Sequence, residues 1–237
     1  MEPTLSGKIA VVTGGTRGIG RAIAQRLLDA GAMVAVCSRS RENVQAFVNE
    51  CKNAEARLLA ETADVSKPEE VSRFFAQIDA RFGGVDILIN NAGIGIFKSV
   101  ADLTPEEWRR TIDLNLNGVF YCSHAALPRM RVRGGGYIIN ISSLAGKNAF
   151  AGGAAYNASK FGLNGFSEAM MLDHRQEHVR VSYVMPGSVD TDFGPRAAPA
   201  AWKIQPEDIA EIVMGLLRLP ERTLVSRIEV RPSRPPK

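Results

Sequence analysis

The chain has 237 residues, of which 45% are apolar and 23% are charged, an ordinary composition for a soluble globular protein. No apolar run reaches the roughly eighteen residues that a membrane-spanning helix needs, which argues against a membrane protein. The net charge of +4 equals that of residues 218–237, where six basic groups face two acidic ones, so the rest of the chain is neutral overall.

Short apolar runs typical of strands alternate along the chain with helical stretches. The predicted strands are 8–13, 32–38, 56–61, 86–90, 136–142, 179–185 and 225–230. The predicted helices are 18–30, 41–52, 68–81, 104–131, 155–177 and 206–218. Strands that alternate with helices predict an α/β fold, in which a parallel sheet carries helices on both faces. No internal linker, repeat or charge block precedes the C-terminus, so we expect a single domain.

The first strand and helix are joined by a glycine-rich turn. The turn reads Gly14-Gly-Thr-Arg-Gly18-Ile-Gly20 and directly follows the apolar run 8–13. Glycines permit close approach of a ligand, and a helix N-terminus offers unpaired N–H groups to a pyrophosphate. The spacing differs from the common G-x-G-x-x-G fingerprint, so a turn required only for packing is the alternative interpretation. The order of strand, turn and helix favours a dinucleotide site.

The residues after the second strand indicate which dinucleotide is preferred. In this fold an acid at that place binds the adenosine ribose of NAD, whereas an arginine accommodates the 2′-phosphate of NADP. The sequence there is Cys37-Ser-Arg-Ser-Arg41, without an acid, and Arg39 occupies the expected position. Arg17 in the glycine turn is expected to approach from the other side, and paired guanidinium groups bind phosphate strongly. We therefore predict NADP(H), with two merely solvated arginines as the alternative.

Tyr156 and Lys160 are four residues apart at the start of a helical stretch, which places both side chains on one helical face. A phenol has an ordinary pKa of about 10. We expect the neighbouring ammonium to stabilise the phenolate and thus to lower the pKa of Tyr156. Ser143 ends a strand-like run thirteen residues earlier, and its hydroxyl is expected to hold a substrate carbonyl oxygen. Alone the pair is weak evidence, because any surface helix can carry it.

Several motifs together resemble the short-chain dehydrogenase/reductase family, in its order and with its spacings. The motifs are Thr13-Gly-Gly-Thr-Arg-Gly-Ile-Gly20, Asp64-Val65, Asn90-Asn-Ala-Gly93, Asn115, Ser143, Tyr156-x-x-x-Lys160 and Pro186-Gly187 with Thr191. The resemblance covers roughly residues 5–231 and is greatest to 3-oxoacyl-carrier-protein reductases and related carbonyl reductases. It implies a single Rossmann-type doubly wound domain over 1–237, with a cofactor-binding N-terminal half and a catalytic C-terminal half. Its seven strands would follow the order 3-2-1-4-5-6-7.

The resemblance also implies the roles of individual residues. The implied catalytic residues are Asn115, Ser143, Tyr156 and Lys160. The implied cofactor contacts are Gly14, Thr16, Arg17, Gly18, Ile19, Gly20, Ser38, Arg39, Asp64, Val65, Asn91, Ala92, Gly93, Tyr156, Lys160, Pro186, Gly187, Val189 and Thr191. Asp64 and Val65 would hold the adenine edge, Asn90 and Gly93 would line the cofactor, and Thr191 would fix the nicotinamide carboxamide.

Two of these assignments have a competing neighbour in the sequence. Asn115 would hold a water that links Lys160 to solvent, but Asn117 lies two residues on, and the family pattern favours Asn115. Ser142 competes in the same way with Ser143. Each of these side chains has a purely structural role as its alternative.

The expected walls of the substrate cleft are apolar. They comprise Ile94, Ile96, Phe97, Phe150, Phe193 and Trp202, with Trp202 covering the last helix as its alternative role. Only fourteen residues separate Thr191 from Pro206, so the lid is short and rich in alanine, unlike the family pattern. The C-terminal strand also lacks the glycine pair that often closes such chains. These apolar walls suit an aliphatic or aryl carbonyl compound.

Helices 104–131 and 155–177 carry small and apolar residues on more than one face. These residues are Gly118, Ala125, Ala126, Gly162, Gly165, Phe166, Met170 and Met171. A second exposed apolar face would mark an interface, and family members commonly pair these two helices. We expect a homotetramer or a homodimer.

The remaining features indicate no metal, nucleic acid or membrane. His174 and His178 are four apart on a helix but lack a third ligand in register, so no metal is predicted. The basic, proline-rich tail 232–237 has no recognition motif or interleaved aromatics, which favours a solvated terminus or a subunit contact. The three cysteines are scattered and the N-terminus lacks a signal-peptide pattern, so a cytoplasmic protein with reduced thiols is expected.

Together these features predict an NADPH-dependent carbonyl reductase in which Tyr156 protonates the carbonyl oxygen. The first alternative is an alcohol dehydrogenase that acts on a small hydroxylated substrate. The second is a non-catalytic NADP-binding sensor, although a sensor need not keep the tyrosine, lysine, serine and asparagine together.

Overall fold

Seven parallel strands form the centre of the computed structural model, which describes residues 5–193 and 201–235. The strands are β1 (Ile9–Thr13), β2 (Met33–Ser38), β3 (Leu58–Thr62), β4 (Ile87–Asn90), β5 (Gly136–Ile141), β6 (Val179–Pro186) and β7 (Arg227–Val230). Their order in the sheet is β3-β2-β1-β4-β5-β6-β7. The predicted fold class and strand order are confirmed.

Helices cover both faces of this sheet. They are α1 (Gly18–Asp29), α2 (Arg41–Glu50), α3 (Pro68–Phe82), α4 (Pro105–Ile112), α5 (Gly118–Val132), α6 (Ala154–His174) and α7 (Pro206–Arg218). Successive residues of β1 alternate between the faces, so that Ala10 and Val12 pack against α1 and α7, whereas Ile9 and Val11 pack against α3 and α5. Each strand is thus buried on both sides, which explains its nearly continuous apolar sequence.

The predicted helix 104–131 is divided into α4 and α5 by a π-helical turn at Asp113–Asn117. α4 begins at a capping box, in which Thr104 accepts from the Glu107 N–H and the Glu107 carboxylate accepts from the Thr104 N–H. The π turn inserts a residue into the helical repeat. The prediction of one uninterrupted helix was therefore wrong at this point.

Two of the other differences between predicted and observed boundaries come from 3-10 helical turns. β3 begins at Leu58, because Lys52–Arg57 form a 3-10 helix instead of the start of the strand. The helix predicted to reach 177 ends at His174, and a 3-10 turn carries the chain to His178. His178 has a left-handed backbone with φ of 58°, which turns the chain into β6.

A buried polar network ties the ends of β4 and β5 to the helices behind them. The Asn90 side-chain amide donates to the Ser123 hydroxyl at 3.1 Å and to the side-chain oxygen Oδ1 of Asn140 at 2.9 Å, and the Asn140 side-chain amide donates to the Ser167 hydroxyl at 2.8 Å. All four side chains are buried. Asn90, expected to line the cofactor, instead belongs to this internal network.

The carboxyl ends of all seven strands lie at one edge of the sheet, because every strand pairing is parallel. β1 is connected to β2 on one side of it and β4 to β5 on the other side. In such sheets a crevice opens at the carboxyl edge between the two strands whose connections run in opposite directions. No helix in the described part of the chain is long and apolar enough to cross a membrane. The three cysteines are free, buried thiols, and burial raises the pKa of Cys37 to about 12.

Candidate active site and cofactor cleft

A cleft of about 670 Å³ runs along the carboxyl edge of the sheet. Most of the predicted site residues line it. They are Gly14, Thr16, Arg17, Gly18, Ile19, Ser38, Arg39, Val65, Asn91, Ala92, Gly93, Ser143, Tyr156, Lys160, Pro186, Gly187, Val189 and Thr191. The structure thus brings together residues as far apart in the sequence as Gly14 and Thr191.

The glycine turn at the end of β1 is built for close contact between backbone segments. Gly14 and Gly18 have left-handed φ values of 62° and 52°, which residues with a side chain rarely adopt. A Cβ at Gly15 would lie 2.8 Å from Val36 Cγ1, so that position also excludes a side chain. The Asn91 amide donates to the carbonyl oxygens of Thr13 and Gly14 at 3.0 and 3.1 Å. Asn91 therefore stabilises the backbone conformation of the turn.

The turn fits the phosphate groups of a dinucleotide. Thr16 is buried, and its hydroxyl has no hydrogen-bond partner among the residues that the structure describes. An unpaired buried hydroxyl is costly, and a phosphate oxygen would satisfy it. Arg17, the N-cap of α1, makes no side-chain capping bond, so the first-turn N–H groups remain open to an anion.

Gly20 and Asp64, two of the predicted cofactor residues, are absent from the described lining of the cleft. Gly20 is buried beneath the turn, where a Cβ would collide with the Gly14 carbonyl and the Asn91 amide. The Asp64 carboxylate accepts from the Ser66 N–H at 3.0 Å and from the Ser66 hydroxyl at 2.8 Å. Gly20 thus allows the backbone of the turn to pack closely, and Asp64 stabilises a local turn by bonding Ser66. The neighbouring Val65 lines the cleft.

Asn115 also lies behind the lining, in the π turn. Its carbonyl oxygen accepts from the Ile94 N–H at 2.9 Å, and its amide donates to the Ile94 carbonyl at 2.9 Å and to the Ser159 hydroxyl at 3.0 Å. Asn115 therefore joins the loop after β4 to α6. Asn117, the competing residue, donates to Asp113 on its own turn at 2.8 Å.

Tyr156 lies on the first turn of α6 and faces the end of β5. Burial raises the pKa of its phenol, and a hydrogen bond from Ser143 opposes part of that rise. The competing Ser142 is engaged elsewhere, since its hydroxyl donates to Asn164. Of the two neighbouring serines, Ser143 is thus the one that contacts the phenol.

Lys160 lies one turn further along α6 and is also buried. Its ammonium donates to the Ile141 carbonyl at 2.9 Å and lies 5.9 Å from the centre of the Tyr156 ring. Burial lowers the pKa of Lys160 to about 8. The net lowering of the Tyr156 pKa that we expected is therefore absent in this structure, because burial of the phenol is the dominant effect.

Aromatic rings surround Tyr156 on its open side. Ring centres lie 5.5 Å apart for Phe97 and Tyr156, 5.7 Å for Phe193 and Tyr156, and 5.7 Å for Phe97 and Phe150. Of the other predicted wall residues, Ile94 packs on the core behind the sheet, and Ile96 and Trp202 are outside the described lining. Residues 194–200 of the expected lid lie outside the described residues.

Sequence reasoning missed several lining residues, of which Asp192, Lys203 and Arg231 are charged. Arg231 follows β7, and its side chain donates to Glu229 at 3.1 Å. The pairing of Val230 with Pro186 brings the end of β7 beside the end of β6. The predicted place of β7 beside β6 could have identified Arg231 as a lining residue, because parallel neighbouring strands end at the same edge of the sheet.

Comparison with known proteins identifies the family. A family model described as short chain dehydrogenase matches residues 8–201. The chain is 36% identical over 219 residues to a 3alpha-hydroxysteroid dehydrogenase of Mediterraneibacter gnavus, covering 92% of this chain and 86% of the relative.

Two solved structures are similar over nearly the whole chain. A metagenomic short-chain oxidoreductase in complex with NADP has 39% identity and a TM-score of 0.85, with 98% of this chain and 99% of the other covered. A variant of actinorhodin polyketide ketoreductase with NADPH has 32% identity and a TM-score of 0.87, with 95% and 96% covered. The chain therefore belongs to the short-chain dehydrogenase/reductase family and is an oxidoreductase.

Proposed function

We propose that this protein is an NADPH-dependent carbonyl reductase. The observation that carries the proposal is the meeting, in one cleft, of a glycine turn suited to phosphate with Ser143 and the buried Tyr156 and Lys160. Neither half alone would define a reaction. A dinucleotide turn occurs in many oxidoreductases, and a buried tyrosine beside a serine occurs in many cores.

We infer NADP(H) as the cofactor from charge and from the relatives. Arg17 and Arg39 both line the cleft, whereas Asp64, whose carboxylate accepts from Ser66, is outside the described lining. Two guanidinium groups suit a 2′-phosphate, whereas no carboxylate in the described residues 37–41 would bind a ribose hydroxyl. The two similar solved structures contain NADP and NADPH.

The chain's own residues supply the acid chemistry. When bound, the reduced nicotinamide supplies a hydride for the carbonyl carbon and is itself oxidised. The Tyr156 phenol, kept protonated by burial, gives its proton to the carbonyl oxygen, so that the product is an alcohol. Ser143 would orient that oxygen. Lys160, whose pKa of about 8 is near neutrality, would stabilise the phenolate left behind.

The protonated form of Tyr156 at neutral pH suits the reductive direction. A phenol whose pKa is raised by burial holds the proton that reduction requires, whereas oxidation of an alcohol would require the phenolate as a base. The alternative activity, an NADP-dependent alcohol dehydrogenase, is supported by the hydroxysteroid dehydrogenase among the relatives. The non-catalytic sensor has no observation in its favour.

The substrate that we propose is an apolar carbonyl compound. Ketones and 3-oxoacyl thioesters, such as the intermediates of fatty acid biosynthesis, both belong to this class. The aromatic walls formed by Phe97, Phe150 and Phe193 favour such compounds over charged sugars. The cytoplasmic location that this metabolic role implies stays a prediction.

A direct assay tests the proposal. Purified protein with NADPH would be given acetoacetyl-CoA, an aromatic diketone and a keto-sugar side by side, and loss of reduced-nicotinamide absorbance would be followed. We expect turnover of the first two and little of the third. No turnover of any carbonyl compound, together with oxidation of alcohols by NADP⁺, would favour the dehydrogenase instead.

We also propose that the protein is a homodimer or homotetramer. The outer helical face, comprising Trp108 of α4, Phe120 of α5 and Phe161 and Leu172 of α6, exposes large apolar side chains. Phe120 also contacts Phe166 across the two helices, with ring centres 6.3 Å apart. Of the small and apolar residues on more than one face of these helices, Gly118, Ala126 and Met170 belong to the buried face. Large apolar side chains exposed on three helices suit contact with a second copy.

A further inference from the structure

Phe97, Phe150 and Phe193 remain open to solvent although they lie beside a buried tyrosine. Their side chains are 38%, 46% and 42% exposed, whereas Tyr156 is 8% exposed. All three line the cleft. Large aromatic groups usually bury most of their surface, so three open rings around one cleft wall indicate a surface that a ligand covers. We name these three residues the aromatic clamp.

The rings of the clamp form one connected group with Tyr156. Phe97 contacts the tyrosine ring in an edge-to-face arrangement with planes at 80°, and Phe193 contacts it at 52°. Phe150 contacts Phe97 in turn, with ring planes at 56°. The contacts therefore place ring edges and faces around the phenol that we propose as proton donor.

Gly95 provides the space in which two of these rings meet. A Cβ at Gly95 would lie 2.6 Å from Cζ of Phe97 and 2.9 Å from Cε1 of Phe193, both too close. The backbone at Gly95 is outside the left-handed region that favours glycine. Glycine at this position thus leaves the room that the two ring ends occupy, and a Cβ there would displace the rings.

We propose that the aromatic clamp selects carbonyl compounds in which a planar aryl ring adjoins the carbonyl group, and that Gly95 is a specificity-determining residue for them. This rests on the proposed carbonyl reductase function. An aryl ring can pack edge-to-face or offset against the clamp, with centres 4.5–7 Å apart, and each such pair contributes about 2- to 12-fold in affinity. A saturated ring of the same size or an acyl chain fills space but lacks this interaction.

A matched pair of unreactive ligands tests binding without chemistry. Benzamide and cyclohexanecarboxamide have rings of equal carbon number and differ in aromaticity. We would titrate each into the full chain saturated with NADP⁺ and measure heat. The expected result is about tenfold tighter binding of benzamide. Equal affinity for the two ligands would overturn the proposal.

Gly95→Ala is the decisive variant, and Gly215→Ala is its control. Gly215 lies in α7 with no atom within 4 Å of an added Cβ, so the same methyl group meets no ring there. We expect Gly95→Ala to lose most of the preference for benzamide with NADPH affinity unchanged, and Gly215→Ala to retain it. If Gly95→Ala does not fold, Phe193→Leu, which removes an exposed ring, is expected to show the same loss. An undiminished preference in Gly95→Ala or in Phe193→Leu would refute the role of the clamp.

Reduction of acetophenone and of cyclohexyl methyl ketone separates this inference from the proposed function. In Gly95→Ala, KM is expected to rise about tenfold for acetophenone and to change little for the saturated ketone. Turnover of both ketones with no effect of Gly95→Ala on their ratio would refute the clamp and leave the reductase intact. Binding of benzamide that depends on Gly95, without reduction of any ketone, would refute the reductase and leave the clamp.

Discussion

Replacement of Lys160 by methionine should stabilise the cofactor-free protein while abolishing its activity. Lys160 is buried, and burial lowers its pKa from 10.5 to about 8. Between these two values the unfolded chain holds a proton that the folded protein has released. Because the unfolded state then binds more protons, stability rises with pH across this window, and below about pH 8 the folded protein bears the full cost of the buried charge.

The size of the effect follows from the shift. The difference of 10.5 minus about 8 is roughly 2.5 pKa units, and at 1.36 kcal/mol per unit this is about 3 kcal/mol. Methionine keeps an unbranched apolar stem but loses the hydrogen bond to the Ile141 carbonyl, which is worth about 1 kcal/mol. We therefore expect Lys160→Met to be more stable by about 2 kcal/mol at pH 7, or about 4–8 °C in Tm.

Chemical denaturation of wild type and variant at pH 7 and at pH 9.5, without cofactor and at one protein concentration, measures this difference. The advantage of the variant should shrink as the pH rises through the window. Cys37 and Tyr156, whose pKa values are raised by burial, reduce stability at high pH in both proteins and cancel in the comparison. Lys52→Met removes an exposed lysine and should change stability by less than about 0.5 kcal/mol.

Two results would refute this reasoning. If Lys160→Met were less stable than wild type at pH 7, the Lys160 ammonium would be better solvated or better paired than its single bond to Ile141 indicates. If the variant were more stable by the same amount at both pH values, the gain would come from packing and not from the removed charge.

Three further outcomes are expected. Tyr156→Phe should bind NADPH as wild type does, by fluorescence titration, and lose about 10²- to 10⁴-fold in kcat, since a general acid contributes that much; turnover near wild type would exclude the phenol as proton donor. Arg39→Asp should weaken NADPH binding and improve use of NADH. An unchanged preference for NADPH would show that the 2′-phosphate is bound elsewhere, with Arg17 as the next residue to replace. Phe120→Glu should shift the mass seen by light scattering toward the 25.7 kDa of one chain, whereas wild type at that mass would contradict the oligomer.

The fold could be predicted from the sequence because its signals are local. Apolar runs bounded by glycine and proline identify strands that are buried on both faces, and their alternation with helices implies a parallel sheet. Parallel strands end at one edge, so residues that follow β1, β5 and β6 could be expected in one cleft, as the structure has them. The resemblance to the family then added the individual residues of that cleft.

The details that were missed depend on partners far away in the chain. Asn90 and Asn115 each follow the family pattern, yet their amides are engaged by Ser123 and Ser159, and nothing near them in the sequence indicates those bonds. Asp64 is instead engaged by its neighbour Ser66. That local contact could have been recognised, because a short polar side chain often bonds the residue two positions ahead.

The π turn determines which residues of α5 face the interior and which face outward. A helical pattern counted continuously from Thr104 advances about 100° per residue, and the inserted residue at Asp113–Asn117 rotates everything after it by about that angle. Gly118 therefore packs against the Val65 carbonyl, while Phe120 turns outward. The same turn directs Asn115 inward, so one irregularity determines both the outer surface and the support of the site.

The pair of Tyr156 and Lys160 shows how burial changes a prediction based on spacing. Four residues along a helix bring the two side chains to one face, and in water the ammonium would lower the pKa of the phenol. In the protein both groups are buried, so each is pushed toward its neutral form: the pKa of Tyr156 rises and that of Lys160 falls. A neutral phenol beside an amine that is easily protonated near pH 8 is a pair poised to release one proton and to take up another. The buried pair thus suits repeated protonation of a carbonyl oxygen. The same burial that brings the pKa of Lys160 near 8 also lowers the free energy of unfolding of the protein.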